Sequence, residues 1–156
     1  LVLAPVVLLL WRGQSRKGRE PDDLTKVVIG CSIFTFAMVW LSFGEMASAG
    51  GKVGLVWPTV FHFLGAVAFL YVWPVILSLV SRAAPASINA MMVGAAYLAI
   101  FAGGTASGWL GGFYEKLSAV EFWLLHGAIS AAGAALALLV RPMFHVLQAA
   151  KDGARS

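Results

Sequence analysis

At 156 residues, 60% of them hydrophobic and only 12% charged, with a mean hydropathy of +0.86, the chain has more apolar surface than a water-soluble domain of this length can hide. An average soluble domain is about 25% charged. The net charge of +4 and pI near 9.6 do not indicate a nucleic-acid partner, because the basic residues sit in short segments between long uncharged runs, where they report membrane topology.

The chain opens LVLAPVVLLLWRGQSRKGRE. Eleven residues before Arg12 are too few to span a bilayer, which takes about 20. Basic residues follow the apolar stretch, the reverse of a signal peptide. The expectation is therefore the end of a spanning helix over residues 1–11, cut at its N-terminal side, then a cytoplasmic loop over 12–26.

Four complete spans are predicted next, at about 27–44, 56–80, 88–112 and 122–140, with their flanks filling residues 27–147 and a cytoplasmic tail at 148–156. Their apolar runs are continuous, whereas barrel strands alternate over about ten residues. The predicted class is an all-α membrane protein. Cys31, the single cysteine, excludes an internal disulfide and is read as a small helix-packing residue.

Charge fixes the orientation. Arg12, Arg16, Lys17, Arg19, Lys26, Arg82, Arg141, Lys151 and Arg155 fall at one set of ends, and only Lys52 and Lys116 at the other. Basic residues concentrate on the cytoplasmic side. The first loop, the Arg82 loop and the C-terminus are thus expected inside, and the loops of Glu45 and Glu115 outside.

The second span holds Trp73-Pro74 near its middle. Proline removes a backbone hydrogen bond and kinks a helix, and bent helices are common at transporter sites. Purely structural and functional kinks both stay open. The third span carries Gly104, Gly108 and Gly112 at GxxxG spacing, and the fourth carries Gly127, Ala131 and Ala135 on one face. Small residues let backbones touch in lipid, so each of these two helices is expected to pack closely somewhere in the bundle.

Several stretches together resemble the proton-coupled oligopeptide transporters of the major facilitator superfamily. Their tenth helix typically reads G-E-x-x-x-S-P-x-G-L-S-x-V-T-K-x-A-P. Here AFLYVWPVILSLVSRAAP matches at Pro74, Leu77, Ser78, Val80, Arg82 and Pro85 without a gap. Their eleventh helix reads M-M-G-x-W-F-L and then G-N-x-x-x-G. Here MVGAAYLAIFAGGTASG matches at Met92, Gly94, Leu98, Gly103 and Gly108, with Tyr97 in place of phenylalanine. Upstream, Pro5 and Trp11 look like the end of the eighth helix, and RGQSRKGREP with Lys26 and Gly30 looks like the loop into the ninth.

The resemblance implies the C-terminal six-helix bundle of such a transporter, with helices nine to twelve complete. It implies proton-driven symport of di- or tripeptides or related small solutes by alternating access. The implied setting is the bacterial inner membrane, and the implied partners are the lipid bilayer and the transporter's N-terminal helices. No cofactor beyond the coupling proton is expected, and no nucleic acid. The chain departs from the family pattern at three places. The family's glutamate falls on Phe69, its serine on Trp73 and its helix-eleven tryptophan on Ala96. Phe69, Trp73, Ala96 and Tyr97 are accordingly the expected substrate-facing residues, an aromatic and largely apolar wall. Trp73 lies nine residues from Arg82, roughly 13 Å along a helix rising about 1.5 Å per residue.

Other chemistries find less support. No metal site is expected, since His62, His126 and His145 lack a partner ligand at helical spacing. TASG, Thr105 to Gly108, is similar to the G-x-S-G of rhomboid proteases, which would pair Ser107 with His126 as base. That enzyme reading, a small membrane scaffold and a major facilitator permease for a non-peptide solute are the alternatives. The expectation is a non-enzyme.

Overall fold

A computed structural model of the chain describes residues 3–18, 20–48 and 51–153. Arg19 and Arg155, both counted above as cytoplasmic, and the end of the expected tail, 154–156, lie outside the described residues. Within them the chain is all-α: α1 (Leu3–Arg16), α2 (Asp23–Ala47), α3 (Val56–Ala83), α4 (Asn89–Gly111) and α5 (Ala119–Gly153), with one 3₁₀ turn (Ala86–Ile88) leading into α4. Four of these helices are long and apolar enough to cross a membrane.

The helices start and stop for local reasons, and several outrun the hydropathy limits. α1 continues five residues past the expected end at residue 11, as far as Arg16. It stops at Gly18, whose φ of +62° is the left-handed conformation that ends helices and favours glycine. α2 starts at Asp23, before residue 27, because Asp22 caps it: the backbone N–H of Thr25 donates to Asp22 Oδ1 at 2.7 Å. α3 ends at Ala83 because Pro85 forces Ala84 into an extended conformation (ψ 137°). α5 opens with a capping box. Glu121 N–H donates to Ser118 Oγ at 3.2 Å, and Ser118 N–H donates to Glu121 Oε2 at 2.9 Å. It then runs on through Pro142 to Gly153, well past residue 140.

α2 is the central element, packed on α3 along one side and on α5 along the other. Toward α3 it presents Gly30 and Gly44, with the fully buried Ala37 midway between them at seven-residue spacing. A Cβ on Gly30 would stand 2.5 Å from Val72 Cγ2 and 3.0 Å from the Ala68 carbonyl, and one on Gly44 would stand 2.7 Å from the Trp57 ring. Among the described glycines these leave the least room for a side chain.

Toward α5, α2 presents Cys31, Thr35, Met38 and Ser42. Ser130 Oγ donates to the Cys31 carbonyl at 2.9 Å, and Thr35 Oγ1 donates to the Cys31 carbonyl at 2.9 Å and reaches that of Gly127 at 3.5 Å. Ser42 Oγ donates to the Met38 carbonyl of its own helix at 3.2 Å and reaches that of Val120 at 3.4 Å. Polar side chains that bond across helices supply specificity where hydrophobicity cannot, because lipid tails are as apolar as leucine.

The Gly104 helix and the Gly127 helix do not pack on each other. Among the described residues α4 packs on α3 and the turn before it, and α5 packs on α2. Gly127 is buried against Met38, 3.3 Å from the position a Cβ would take, whereas Gly104 and Gly108 have nothing within 4 Å. Ala131 and Ala135 are exposed, and the buried stripe of α5 runs through Gly127 and Ala134. The physical reason is that small residues permit close approach without choosing the partner. Here Thr35, Ser42 and Ser130 add directional bonds that choose α2 for α5.

The ends align as charge counting expects. Arg82, at the end of α3, pairs with Asp23, and Arg141 of α5 pairs with Asp22 at 2.6 Å, so these basic ends meet at the start of α2. At the opposite end Trp40 Nε1 donates to the Trp57 carbonyl at 3.2 Å. α3 and α5 therefore both run antiparallel to α2.

Candidate functional site

α3 passes through Pro74 without ending. A proline cannot donate to the carbonyl four residues back, which weakens the ladder at Leu70. Phe69 and Trp73 are one turn apart and share a face. Their rings stack with centroids 6.2 Å apart and planes 22° apart. Tyr97 of α4 meets Trp73 edge-on, at 5.6 Å and 76°. Three of the four expected substrate-facing residues thus form one continuous aromatic surface across α3 and α4. Ala96 sits half-buried beside Tyr97 in sequence. Phe69 is 59% exposed and Tyr97 53% exposed, so the outer side of this surface is open. α3 from Val56 to Ser81 and the whole of α4 contain no aspartate, glutamate, lysine or arginine. This surface can stack on flat groups and cover apolar ones, and it offers no ion pair.

The other candidates are not assembled. Ser107 and His126 lie on helices that share no contact, and His126 Nδ1 sits 2.9 Å from the Phe122 carbonyl in its own helix. His126 also lies against the Phe122 ring at 4.4 Å. His62 packs on Phe61 at 5.2 Å. Among the described residues no group of three or more histidine, cysteine, aspartate or glutamate side chains could hold a metal ion.

A second cluster, which charge counting treated only as a sign of topology, lies at the ends where the basic residues gather. Lys26, one turn into α2, has only 7% of its side chain exposed. Its Nζ pairs with Glu20 in the α1–α2 linker, lies 4.0 Å from Asp23 and sits 4.6 Å from the centroid of the Trp11 ring. The Lys26 hydrogen bond holds the Glu20 carboxyl below its ordinary pKa. Burial works to raise that of Asp22, but the Thr25 N–H and the Arg141 guanidinium outweigh it and the net shift is downward. Pro74, Val75, Ser78 and Arg82 line an open groove of about 340 Å³ with Trp11, Glu20, Asp23 and Lys26. The sequence signal for this cluster was Pro21-Asp22-Asp23 ahead of Thr25-Lys26, a helix-start pattern.

No protein-family model matches the chain, and no solved structure matches it. Over 115 residues it is 29% identical to the peptide transporter YePEPT of Yersinia enterocolitica subsp. palearctica. The aligned stretch is 72% of this chain, and it covers 22% of that transporter, so the chain spans about a fifth of the length of the curated relative it matches. The chain is a multi-pass, all-α membrane protein similar to a peptide transporter.

Proposed function

We propose that this chain forms part of the C-terminal bundle of a secondary active transporter of the major facilitator type, working as a proton-coupled symporter of di- or tripeptides or related small solutes. The observation that carries the reading is the 29% identity, over 72% of the chain, to a peptide transporter, on a chain with four membrane-length helices. In this reading the bundle rocks against the N-terminal helices around a site near the bilayer midplane. The coupling ion is the proton, the protein sits in a bacterial inner membrane, and the C-terminus is cytoplasmic. The carboxylates that carry the proton lie in the N-terminal half. Phe69, Trp73, Ala96 and Tyr97 line the C-terminal wall of the substrate site. Gly104, Gly108 and Gly112 receive a helix from the rest of the transporter.

A permease for a non-peptide solute is the second reading. It is favoured by Phe69 and Ala96 at the positions where the resembled family has glutamate and tryptophan, and by the absence of acidic and basic side chains around the aromatic surface.

The test is uptake by the full-length protein in proteoliposomes with an inward proton gradient. Labelled di- and tripeptides should accumulate, and a protonophore should abolish this. Phe69→Ala and Trp73→Ala should each shift the apparent KM while leaving folding intact. Peptide uptake indifferent to the gradient would remove proton coupling. Unchanged KM for every accepted substrate in both variants would remove the aromatic wall.

A further inference from the structure

Lys26 has no part in the substrate surface, yet among the described residues it is the one buried lysine or arginine. A buried charge is tolerated only when it is paired, and detaching its partner leaves it stranded in low dielectric. Its contacts come from three places in the chain: Glu20 from the linker, Asp23 from its own helix, and the Trp11 ring from α1. Asp23 is shared with Arg82 from the end of α3, and Trp11 packs edge-on against Tyr71 of α3 at 5.4 Å. α1 packs on no helix but α3 among the described residues, so its second anchorage runs through the Trp11 ring and the linker to Lys26.

We propose that Lys26 is a positioning residue that clamps the ends of α1, α2 and α3 into one body, so that the α1–α2 linker moves with α2 and α3 during transport. The clamp is set by desolvation. The linker cannot lift away from α2 without leaving the Lys26 ammonium buried with a carboxylate that Arg82 also holds. An aromatic face stabilises a nearby cation, so the Trp11 ring keeps the ammonium on the α1 side of the cluster. Asp22 pairs with Arg141 toward α5, and Glu20 and Asp23 face Lys26.

The role in transport rests on the transporter reading; the clamp itself does not. Spin labels at Gly13 of α1 and Ala83 of α3, in the full-length protein with Cys31→Ser and no other cysteine, report the clamp without any transport measurement. Both positions are exposed, and Gly13 has open space around it. The unsubstituted Lys26 protein should give a narrow distance distribution. Lys26→Met, which keeps the apolar stem and removes the charge, should broaden it. Glu20→Gln, at a partly exposed position with no change of volume, should broaden it in the same sense and serves if Lys26→Met does not fold. Lys26→Arg should restore the narrow distribution. In proteoliposomes the broadening variants should lose turnover by about threefold or more at unchanged KM, the signature of a lost conformational step rather than lost binding. Narrow distributions in both Lys26→Met and Glu20→Gln would overturn the clamp. Broad distributions with unchanged turnover would overturn its role in transport. A full-length protein that transports nothing, while its distances still respond to Lys26, would count against the transporter reading and leave the clamp standing.

Discussion

α2 and α4 are both apolar helices of membrane length with glycines at regular spacing, yet they end in opposite environments. α2 buries Gly30, Ala37, Met38, Leu41, Ser42 and Gly44 between two neighbours, whereas α4 has no buried residue. Apolarity does not separate them, because in a bilayer an apolar side chain is equally content against lipid or protein. What separates them is the combination of small residues with polar side chains that bond across the contact. α2 has Thr35 and Ser42 in addition to its glycines, and α5 answers with Ser130. α4 has Thr105, whose hydroxyl donates to Phe101 in its own helix at 2.9 Å. A glycine pattern therefore says that a backbone can be approached, and the polar partners say by whom.

The sharpest way to break this comparison is to fill the glycines. Gly30→Leu should be the most damaging single change, because its Cβ would meet the rigid Val72 side chain and the Ala68 backbone oxygen before any further atom is placed. Overpacking a tight core costs about 1–3 kcal/mol, and Gly30 should fall at the upper end. Gly108→Leu meets nothing within the described chain. In the full-length protein it should still lower thermal stability in detergent, by less than Gly30→Leu, if a helix of the proposed transporter covers it. A Tm unchanged by Gly108→Leu would mean that α4 turns this face to lipid.

A smaller effect is expected where the helix ends meet. Asp22→Ala removes both the cap on Thr25 N–H and the partner of Arg141, and loss of a cap costs about 0.5–2 kcal/mol. The same residue sets a pH dependence. Its folded-state pKa is depressed, so its contribution is fully present above the ordinary carboxylate range and is lost as pH falls through the folded value. Glu20, depressed by Lys26, acts in the same direction. Stability measured by thermal unfolding should therefore fall on acidification below the ordinary carboxylate range, and the fall should be shallower in Asp22→Ala. An equally steep fall would place the acid sensitivity elsewhere.

How much of this was legible in the sequence follows from the same contrast. The four spans, their order and the clustering of basic ends are composition and charge, which act locally and can be read along one dimension. The helix ends beyond the hydropathy limits come from Gly18, Asp22, Pro85 and the Ser118–Glu121 box, signals that are present in the sequence but fall in polar segments where hydropathy is blind. Phe69, Trp73 and Tyr97 were legible as a group because α3 and α4 are consecutive and joined by a short turn. The partner of α5 was not legible. Gly127, Ala131 and Ala135 define a face, but the stripe that is used runs through Gly127, Ser130 and Ala134, and its target is α2, about a hundred residues earlier in the chain (Ser130 and Cys31 are 99 apart). The Lys26 cluster was hidden for a related reason. Each of its charges reads as an ordinary topological marker until Glu20, Asp23 and Trp11 are seen to converge on one buried ammonium.

The finest probe of the α2–α5 seam is a single hydroxyl. Ser130 Oγ donates to the Cys31 carbonyl, which also accepts from Thr35 Oγ1 as well as standing within the α2 backbone ladder. Ser130→Ala therefore does not strand that carbonyl, and the cost is one shared bond rather than an unsatisfied buried acceptor. Interhelical hydrogen bonds in membrane proteins contribute about 0.6 kcal/mol on average, so Ser130→Ala should destabilise by about that much or less. Thr35→Ala alone should be similarly mild, because Ser130 still serves the same carbonyl. The double variant removes both donors at once, and it should cost more than the sum of the two single changes. That excess, read from a double-mutant cycle on thermal or denaturant unfolding, measures the coupling directly. Strict additivity would mean that the two hydroxyls act independently, each contributing its own bond.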